Sequence, residues 1–390
     1  MKKNNLEFNN TKIAFNYKSN FDLKRAYFLF KLLSLGYISK FGRKLLKTLV
    51  WMNFPIDSLI KKTVYAQFCG GTDILDCVEV INNLKKNNVY SILDYSVEGS
   101  VNENDFENSI NKCLKILEEC KSKNLSKFIV FKPSAVGRFE LYEKITSNSV
   151  LSETESREWS KVEIRFNKIC LEASKKDIMV LVDAEESWIQ TAIDELVTKM
   201  MNIYNSEKAV VFNTIQAYRK DRFEYLTKLH NDLKGNVKVG VKLVRGAYME
   251  KERKRAKKYN YISPICENKQ QTDEVFNNSL SFIIENINDF GLFVGSHNEK
   301  SNILATELLR KYKIDSNDQR IWFSQLYGMS DNISFTLANS GYNVAKYLPF
   351  GPVHEVMPYL MRRLDENSSI SSQTNRELQL IKKELKRRKN

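Results

Sequence analysis

Two adjacent arginines, Arg362 and Arg363, stand among apolar residues near the C-terminal end of the chain. A planar guanidinium matches a carboxylate with two parallel hydrogen bonds. The pair therefore reads as a carboxylate clamp. Around it Val356, Met357, Leu360 and Leu364 recur at helical spacing. Pro358 has no N–H and fits only a first helical turn, so the spacing predicts a helix from near Glu355 to about Glu366. On that helix Tyr359 lies three and four residues before the arginines and shares their face. Glu366, four residues after Arg362, can hold its guanidinium in place. The competing reading is a solvated basic face on a surface helix. Ahead of the helix, the apolar run 344–348 reads as a strand that Pro349, Gly351 and Pro352 stop.

Other polar side chains collect at the ends of short apolar runs. Run 89–94 ends at Asp94, with Glu98 just beyond. Run 128–132 ends at Lys132, run 178–183 at Asp183 and run 210–216 at Gln216. Run 237–244 carries Lys242 and passes Val244 into Arg245, Gly246, Ala247 and Tyr248. Run 292–297 ends in Ser296 and His297, run 321–326 in Leu326, and run 344–347 in Tyr347. Taken singly, such a lysine is a loop lysine, an acid caps the next helix, and a histidine bonds the rim. Taken together, convergent cations, acids and an amide suit a small anionic substrate. A buried lysine at a strand end also suits Schiff-base chemistry, which makes a lyase or aldolase the alternative.

The elements that must position these residues alternate regularly. Helical patterns cover 106–120, 155–175, 189–205, 222–233, 274–286, 300–311 and 332–339, each after one of the runs above. Near-continuous apolar strands separated by helices imply a parallel sheet buried on both faces. Eight such units imply an α/β fold, a closed (β/α)8 barrel with its active site at the C-terminal ends of the strands. An open doubly wound sheet is the alternative, but no G-x-G-x-x-G follows the first run. Residues 1–20 are polar and read as loose. A helical pattern spans 22–54, with Ser19 or Asn20 as cap. Its aromatic and leucine stripe packs on its own protein or lies on a membrane. A turn at 67–72 leads into a helix at 74–84. The expected organisation is a helical arm over 1–86, the barrel over 87–370 and a basic helix over 371–390.

Of the 390 residues, 42% are hydrophobic and 11% aromatic, a globular composition. The net charge of +14 admits nucleic acid, an anionic membrane surface or an anionic ligand. The charge is dispersed apart from the final KKELKRRKN, which reads as a solvated helix end, so a nucleic-acid binder is the weaker rival. The six cysteines show no CxxC spacing and the three histidines do not pair, so no metal site is expected. The N-terminus lacks the apolar core of a signal peptide, and no apolar run is long enough to span a membrane.

The stretches LVDAEES, QAYRK, KLVRGAYMEKE, VGSHN, FSQLYGMSD and YLPFGPVHEVMPYLMRRLDENSS occur in this order at the predicted strand ends. In them the chain resembles the proline dehydrogenase family, in its mitochondrial-type and single-function bacterial form. The resemblance runs from Phe68 to Ser369 and more weakly through the helical arm. It implies a distorted (β/α)8 barrel that binds FAD without a dinucleotide fingerprint. It implies oxidation of L-proline to 1-pyrroline-5-carboxylate, with electrons passed to a membrane quinone. It also implies a cytoplasmic protein with room for peripheral contact at the inner membrane. By the resemblance, Arg362, Arg363 and Lys132 bind the proline carboxylate, and Glu98 and Glu366 hold the arginines. Leu326 and Tyr347 wall the ring, with Tyr248 packed nearby and Tyr359 beside the arginines. Asp183 lies by the substrate amine. Gln216, Lys242 and the stretch Val244 to Tyr248 line the flavin, and Ser296 and His297 meet its phosphate or adenine side. Two positions mark this chain. Many bacterial relatives carry arginine where Lys242 stands, so here the charge stays and the fork is lost. Relatives that prefer hydroxyproline carry a small residue in place of Tyr347, so proline is the expected substrate.

Overall fold

The computed structural model describes residues 6–34, 57–96, 102–369 and 371–389, and the side chains among them except those of 57, 365–369, 371 and 372. Eight strands form a closed parallel barrel in chain order. They are β1 (Val89–Tyr95), β2 (Phe128–Phe131), β3 (Met179–Val182), β4 (Val211–Gln216), β5 (Val239–Val244), β6 (Phe290–Gly295), β7 (Ile321–Leu326) and β8 (Val344–Phe350). The expected α/β barrel is therefore the observed fold. The strands are buried almost throughout, with every residue of β2 and β4 enclosed. That is why they read as continuous apolar runs rather than alternating ones.

The chain divides into two compact units, residues 99–324 and residues 1–98 with 325–390. In the central unit, Phe128, Phe212 and Trp322 stand at the N-terminal ends of β2, β4 and β7. Phe293 of β6 meets all three rings, at centroid distances of 5.2, 5.1 and 6.4 Å. β2 and β6 are not neighbours in the sheet, so these rings meet across the barrel interior. They fill its lower end and leave the chemistry to the C-terminal ends of the strands. Four of the described helices around the barrel start on side-chain caps. Asn102, Asn268 and Asn298 each accept an N–H from the first turn that follows. Ser152 and Glu155 form a reciprocal capping box. This moves the start of the expected helix at 155 back to Glu153.

Helix Ser187–Tyr204 is tied to the barrel by a buried carboxylate. Asp194 accepts from Gln190 Nε2 at 2.9 Å, Asn213 Nδ2 at 2.9 Å and Arg222 at 2.7 Å. Asp194 and Arg222 are both almost fully enclosed. Removing one partner of a buried ion pair typically costs about 3–5 kcal/mol. Arg222 keeps Asp221 as a second partner. Asp194→Ala is therefore expected to lose about 3 kcal/mol, the lower end of that range, in urea unfolding. A loss below about 1 kcal/mol would mean that Asp221 compensates for the pair.

In the terminal unit, helix Asn20–Ser34 buries Leu23, Ala26, Phe30 and Leu33 against Tyr65, Phe68, Val356, Leu360, Leu380 and Ile381. For these residues the apolar stripe packs on its own protein. Ser19 is the cap, its hydroxyl accepting the Asp22 N–H at 3.1 Å. The rest of the expected helix, from 35 onward, lies outside the described residues.

Several expectations need correction. Residues 6–20 are not loose. Thr11–Phe15 is a helix, and Phe8, Ala14 and Phe15 are buried. Helices Phe139–Thr146 and Met249–Tyr259 were not anticipated. The helix expected at 74–84 begins at Val78. Pro349 does not stop β8, which continues to Phe350. Pro349 needs no N–H there, and its carbonyl accepts Gly70 N–H at 2.8 Å. The arginine helix is Met357–Ser369, which places Pro358 in the first turn where no donor is required. The C-terminal basic stretch is not simply solvated. Helix Ser371–Arg387 buries Thr374, Glu377, Leu380, Ile381 and Glu384.

Candidate active site

In the central unit the ends of β2, β3 and β5 bring Lys132, Asp183 and Lys242 together. Asp183 follows the last residue of β3 and takes Lys132 Nζ on one oxygen at 3.4 Å. Its other oxygen forms an ion pair with Lys242 Nζ. Lys242 is nearly fully buried, while Asp183 and Lys132 remain partly open. Two ammonium groups therefore share one carboxylate at a half-open strand end. Ion pairs made with so little water around them are stronger than surface pairs and costly to break. Lys132, expected at a substrate carboxylate, thus lies beside the predicted amine-side acid.

Glu185, two residues beyond Asp183, is an acid that the sequence reading gave no role. Its carboxylate accepts both the N–H and the hydroxyl of Ser134, at 2.8 and 2.7 Å. This pins the loop that carries Lys132. Gln216, buried at the end of β4, donates Nε2 to the Glu185 carbonyl at 2.7 Å. An acid that buries itself within three residues of a strand-end aspartate was the available signal. Burial pushes the Glu185 carboxyl up from 4.5 to about 7, against the hydrogen bonds from Ser134. Between about 4.5 and 7 the unfolded chain has lost this proton and the folded chain keeps it, so stability falls as pH rises through that window. Glu185→Gln should flatten this slope in urea unfolding between those two pH values. Equal slopes in variant and parent would remove Glu185 as its source.

The β5 and β6 ends form a hydrogen-bonded rim. Arg245 donates to Asp273 at 2.8 and 2.6 Å, to Ser296 Oγ at 2.7 Å and to Ser301 Oγ at 3.0 Å, with its guanidinium 4.4 Å above the Phe276 ring. Ser296 Oγ also accepts the Asn298 N–H at 3.1 Å. Gly246 and Ala247 are exposed, and Gly246 has φ +117°. A Cβ there would lie 2.3 Å from the Tyr218 ring, so glycine is required both by dihedral and by contact. Val244, Tyr248 and His297 are half-buried along the same rim, Tyr248 at the start of helix Met249–Tyr259. Gln216, Lys242 and Arg245, each also bonded within the chain, stand beside the exposed backbone of Gly246 and Ala247, and their polar chemistry fits an acceptor-rich cofactor bearing phosphates.

In the terminal unit, Arg363 is 6% exposed and its guanidinium lies 5.0 Å from the ring centroid of Tyr359, itself buried. A solvated basic face is thereby excluded for Arg363. Arg362 is half-buried on the same helix. Leu326, at the end of β7, and Tyr347, which lies in the middle of β8 and not at the expected strand end, are half-buried too, and the Tyr347 carbonyl accepts the Tyr327 N–H at 2.9 Å. Glu98 and the Glu366 side chain lie outside the described residues. Among the described residues no acid, cysteine and histidine cluster suits a metal, and no helix is long and apolar enough to cross a membrane.

A family model described as proline dehydrogenase matches residues 77–376. The chain is 34% identical over 324 residues to a carbapenem antibiotics biosynthesis protein of Pectobacterium carotovorum, covering 82% of this chain and 83% of that protein. It is 32% identical over 432 residues to the mitochondrial proline dehydrogenase 1 of Dictyostelium discoideum, covering 99% and 75%. The fold is similar to that of proline utilization A from Bdellovibrio bacteriovorus inactivated by N-propargylglycine. That match has a TM-score of 0.73 and 22% identity over 80% of this chain and 34% of that one.

Proposed function

The chain belongs to the proline dehydrogenase family, and from that premise we propose that it oxidises L-proline to 1-pyrroline-5-carboxylate with FAD as cofactor and a quinone as acceptor. It is an oxidoreductase of that family, which sets aside the Schiff-base lyase. The observation that carries the reading is the family match over 77–376, a span that contains every candidate site residue.

Gln216, Lys242 and the stretch Val244 to Tyr248 would hold the isoalloxazine side of the flavin, with Ser296 and His297 toward its phosphate or adenine side. When bound, the flavin supplies the acceptor for a hydride leaving the ring carbon beside nitrogen. The protein's own work is binding and alignment. Arg362 and Arg363 bind the proline carboxylate, with Lys132 as a further cation, and Glu98 and Glu366 hold the guanidinium groups. Leu326 and Tyr347 wall the ring and exclude water, with Tyr248 packed nearby. Asp183 faces the amine and receives its hydrogen bond, while Lys242 balances the carboxylate charge. In this proposal a helical arm over 1–86 and a basic helix over 371–390 flank a catalytic barrel over 87–370. The protein works on the cytoplasmic side, touching the inner membrane peripherally where a lipid-soluble quinone is met.

The test is a visible spectrum of the purified protein, before and after L-proline, without oxygen. Flavin bands that bleach with proline, and faster than with hydroxyproline, are the expected result. Bands that do not bleach would discard the substrate, and a protein that stays colourless and inactive after added FAD would discard the cofactor.

A further inference from the structure

Lys346 is fully buried on β8, one residue before Tyr347, so the two side chains point to opposite faces of the strand. An ammonium has three protons and no acceptor. Lys346 donates to the Met329 carbonyl at 2.5 Å and the Leu326 carbonyl at 3.4 Å, and forms an ion pair with Asp331 Oδ1 at 2.9 Å. The other Asp331 oxygen accepts Tyr17 Oη and Lys18 Nζ, each at 2.8 Å. From the other end of the chain, Glu377 accepts the Ser330 N–H at 2.5 Å. Gln67 Nε2 donates to the Gly328 carbonyl at 2.7 Å, and a Cβ at Gly328, whose φ is +78°, would lie 1.9 Å from the Gln67 carbonyl oxygen, so only glycine fits there. The turn from Leu326 to Asp331 is therefore gripped at the Leu326, Gly328 and Met329 carbonyls and at the Ser330 N–H. The gripping side chains come from residues 17–18, 67, 346 and 377. The chain ends also hold each other, with Arg388 donating to the Phe15 and Lys18 carbonyls at 2.7 and 2.9 Å.

Buried charges of this kind are a poor route to stability alone, since apolar residues of similar volume often do as well. Burial would raise the Asp331 carboxyl, yet Lys18 and Lys346 outweigh it and bring it down to about 2. Burial, with Asp331 adding to it, pushes Glu377 up to about 7. What the network delivers is a fixed turn, with Leu326 at its start and the Tyr327 N–H bonded to the Tyr347 carbonyl. We infer that Lys346, Asp331 and Glu377 are positioning residues through which the two ends of the chain set the placement of Leu326 and Tyr347, the walls that select the substrate. The inference rests on the proposed function and deepens it, because it assigns substrate discrimination to residues that touch no substrate.

The test uses the full chain with Lys346→Met, Glu377→Ala and Glu377→Gln. Hydrogen exchange is read over 326–331 and 344–350, together with the ratio of hydroxyproline to proline kcat/KM. Lys346→Met and Glu377→Ala should speed exchange in both segments and raise the ratio about tenfold, the scale of one charged hydrogen bond. Glu377→Gln keeps an acceptor for the Ser330 N–H and should restore both readouts. Exchange that quickens only within 371–387, with an unchanged substrate ratio, overturns the inference. Should Lys346→Met not fold, the Glu377 pair decides alone. A parent that oxidises no proline but whose variants loosen both segments would sink the proposed function and leave the coupling of the chain ends to the turn standing.

Discussion

Arg362→Ala is expected to raise the KM for proline by about one to two orders of magnitude while bound flavin is retained. Arg362 is the half-buried member of the arginine pair, and Arg363 beside it is buried against Tyr359. A charged hydrogen bond contributes about 1.5–3 kcal/mol, and a guanidinium that meets a carboxylate forms two. Alanine removes that fork without touching the β4, β5 and β6 ends proposed for the flavin. Arg362→Lys separates charge from geometry. It keeps the cation and loses the fork, so it should recover only part of the affinity. Flavin content and KM are read on the same preparation. Loss of flavin with an unchanged KM would move Arg362 from the substrate to the cofactor.

The partition between what could and could not be read from the chain has a physical cause. The barrel strands are enclosed on both faces, so their residues are mostly apolar in succession, and a polar residue at the end of β3 or β4 stands out. Asp183, just after β3, and Gln216, the last residue of β4, are therefore legible from local pattern alone, and Lys242 is legible as the one charge inside β5. Helix Met249–Tyr259 was missed because it is strongly charged, and Ala256 and Glu252 are its buried positions. A stripe that narrow carries little periodic signal. Glu252 is buried because it holds Ser187 through both its N–H and hydroxyl, a partner 65 residues away. The same holds for Lys346 and Asp331, whose partners Lys18 and Glu377 sit at opposite ends of the chain. A buried charge is recognisable only from what surrounds it, and these surroundings are distant in sequence. Pro349 misled for a related reason. Proline in a strand is excluded where its N–H would be needed, and the carbonyl alone is used here.

Asp183→Ala is expected to lower kcat by at least about a hundredfold, the smaller end of what a positioned acid–base group contributes. Two causes are superposed in that number and can be pulled apart. Asp183 is the shared counterion of Lys132 and Lys242, so its removal leaves two ammonium groups at one strand end, one of them nearly fully buried. That alone should destabilise the barrel by several kcal/mol, on the scale of about 3–5 for a broken buried pair. In the double variant Asp183→Ala with Lys242→Met, the nearly buried ammonium is gone as well and an apolar chain of similar length replaces it. Stability in urea should then recover most of its loss. Activity should not, because the hydrogen-bond acceptor proposed to face the amine is still missing. Asp183→Asn gives the complementary control. It keeps an acceptor oxygen and loses the charge, so it should destabilise less than alanine while kcat stays low. If kcat instead returned together with stability in the double variant, Asp183 would be a counterion for Lys242 and no part of the chemistry.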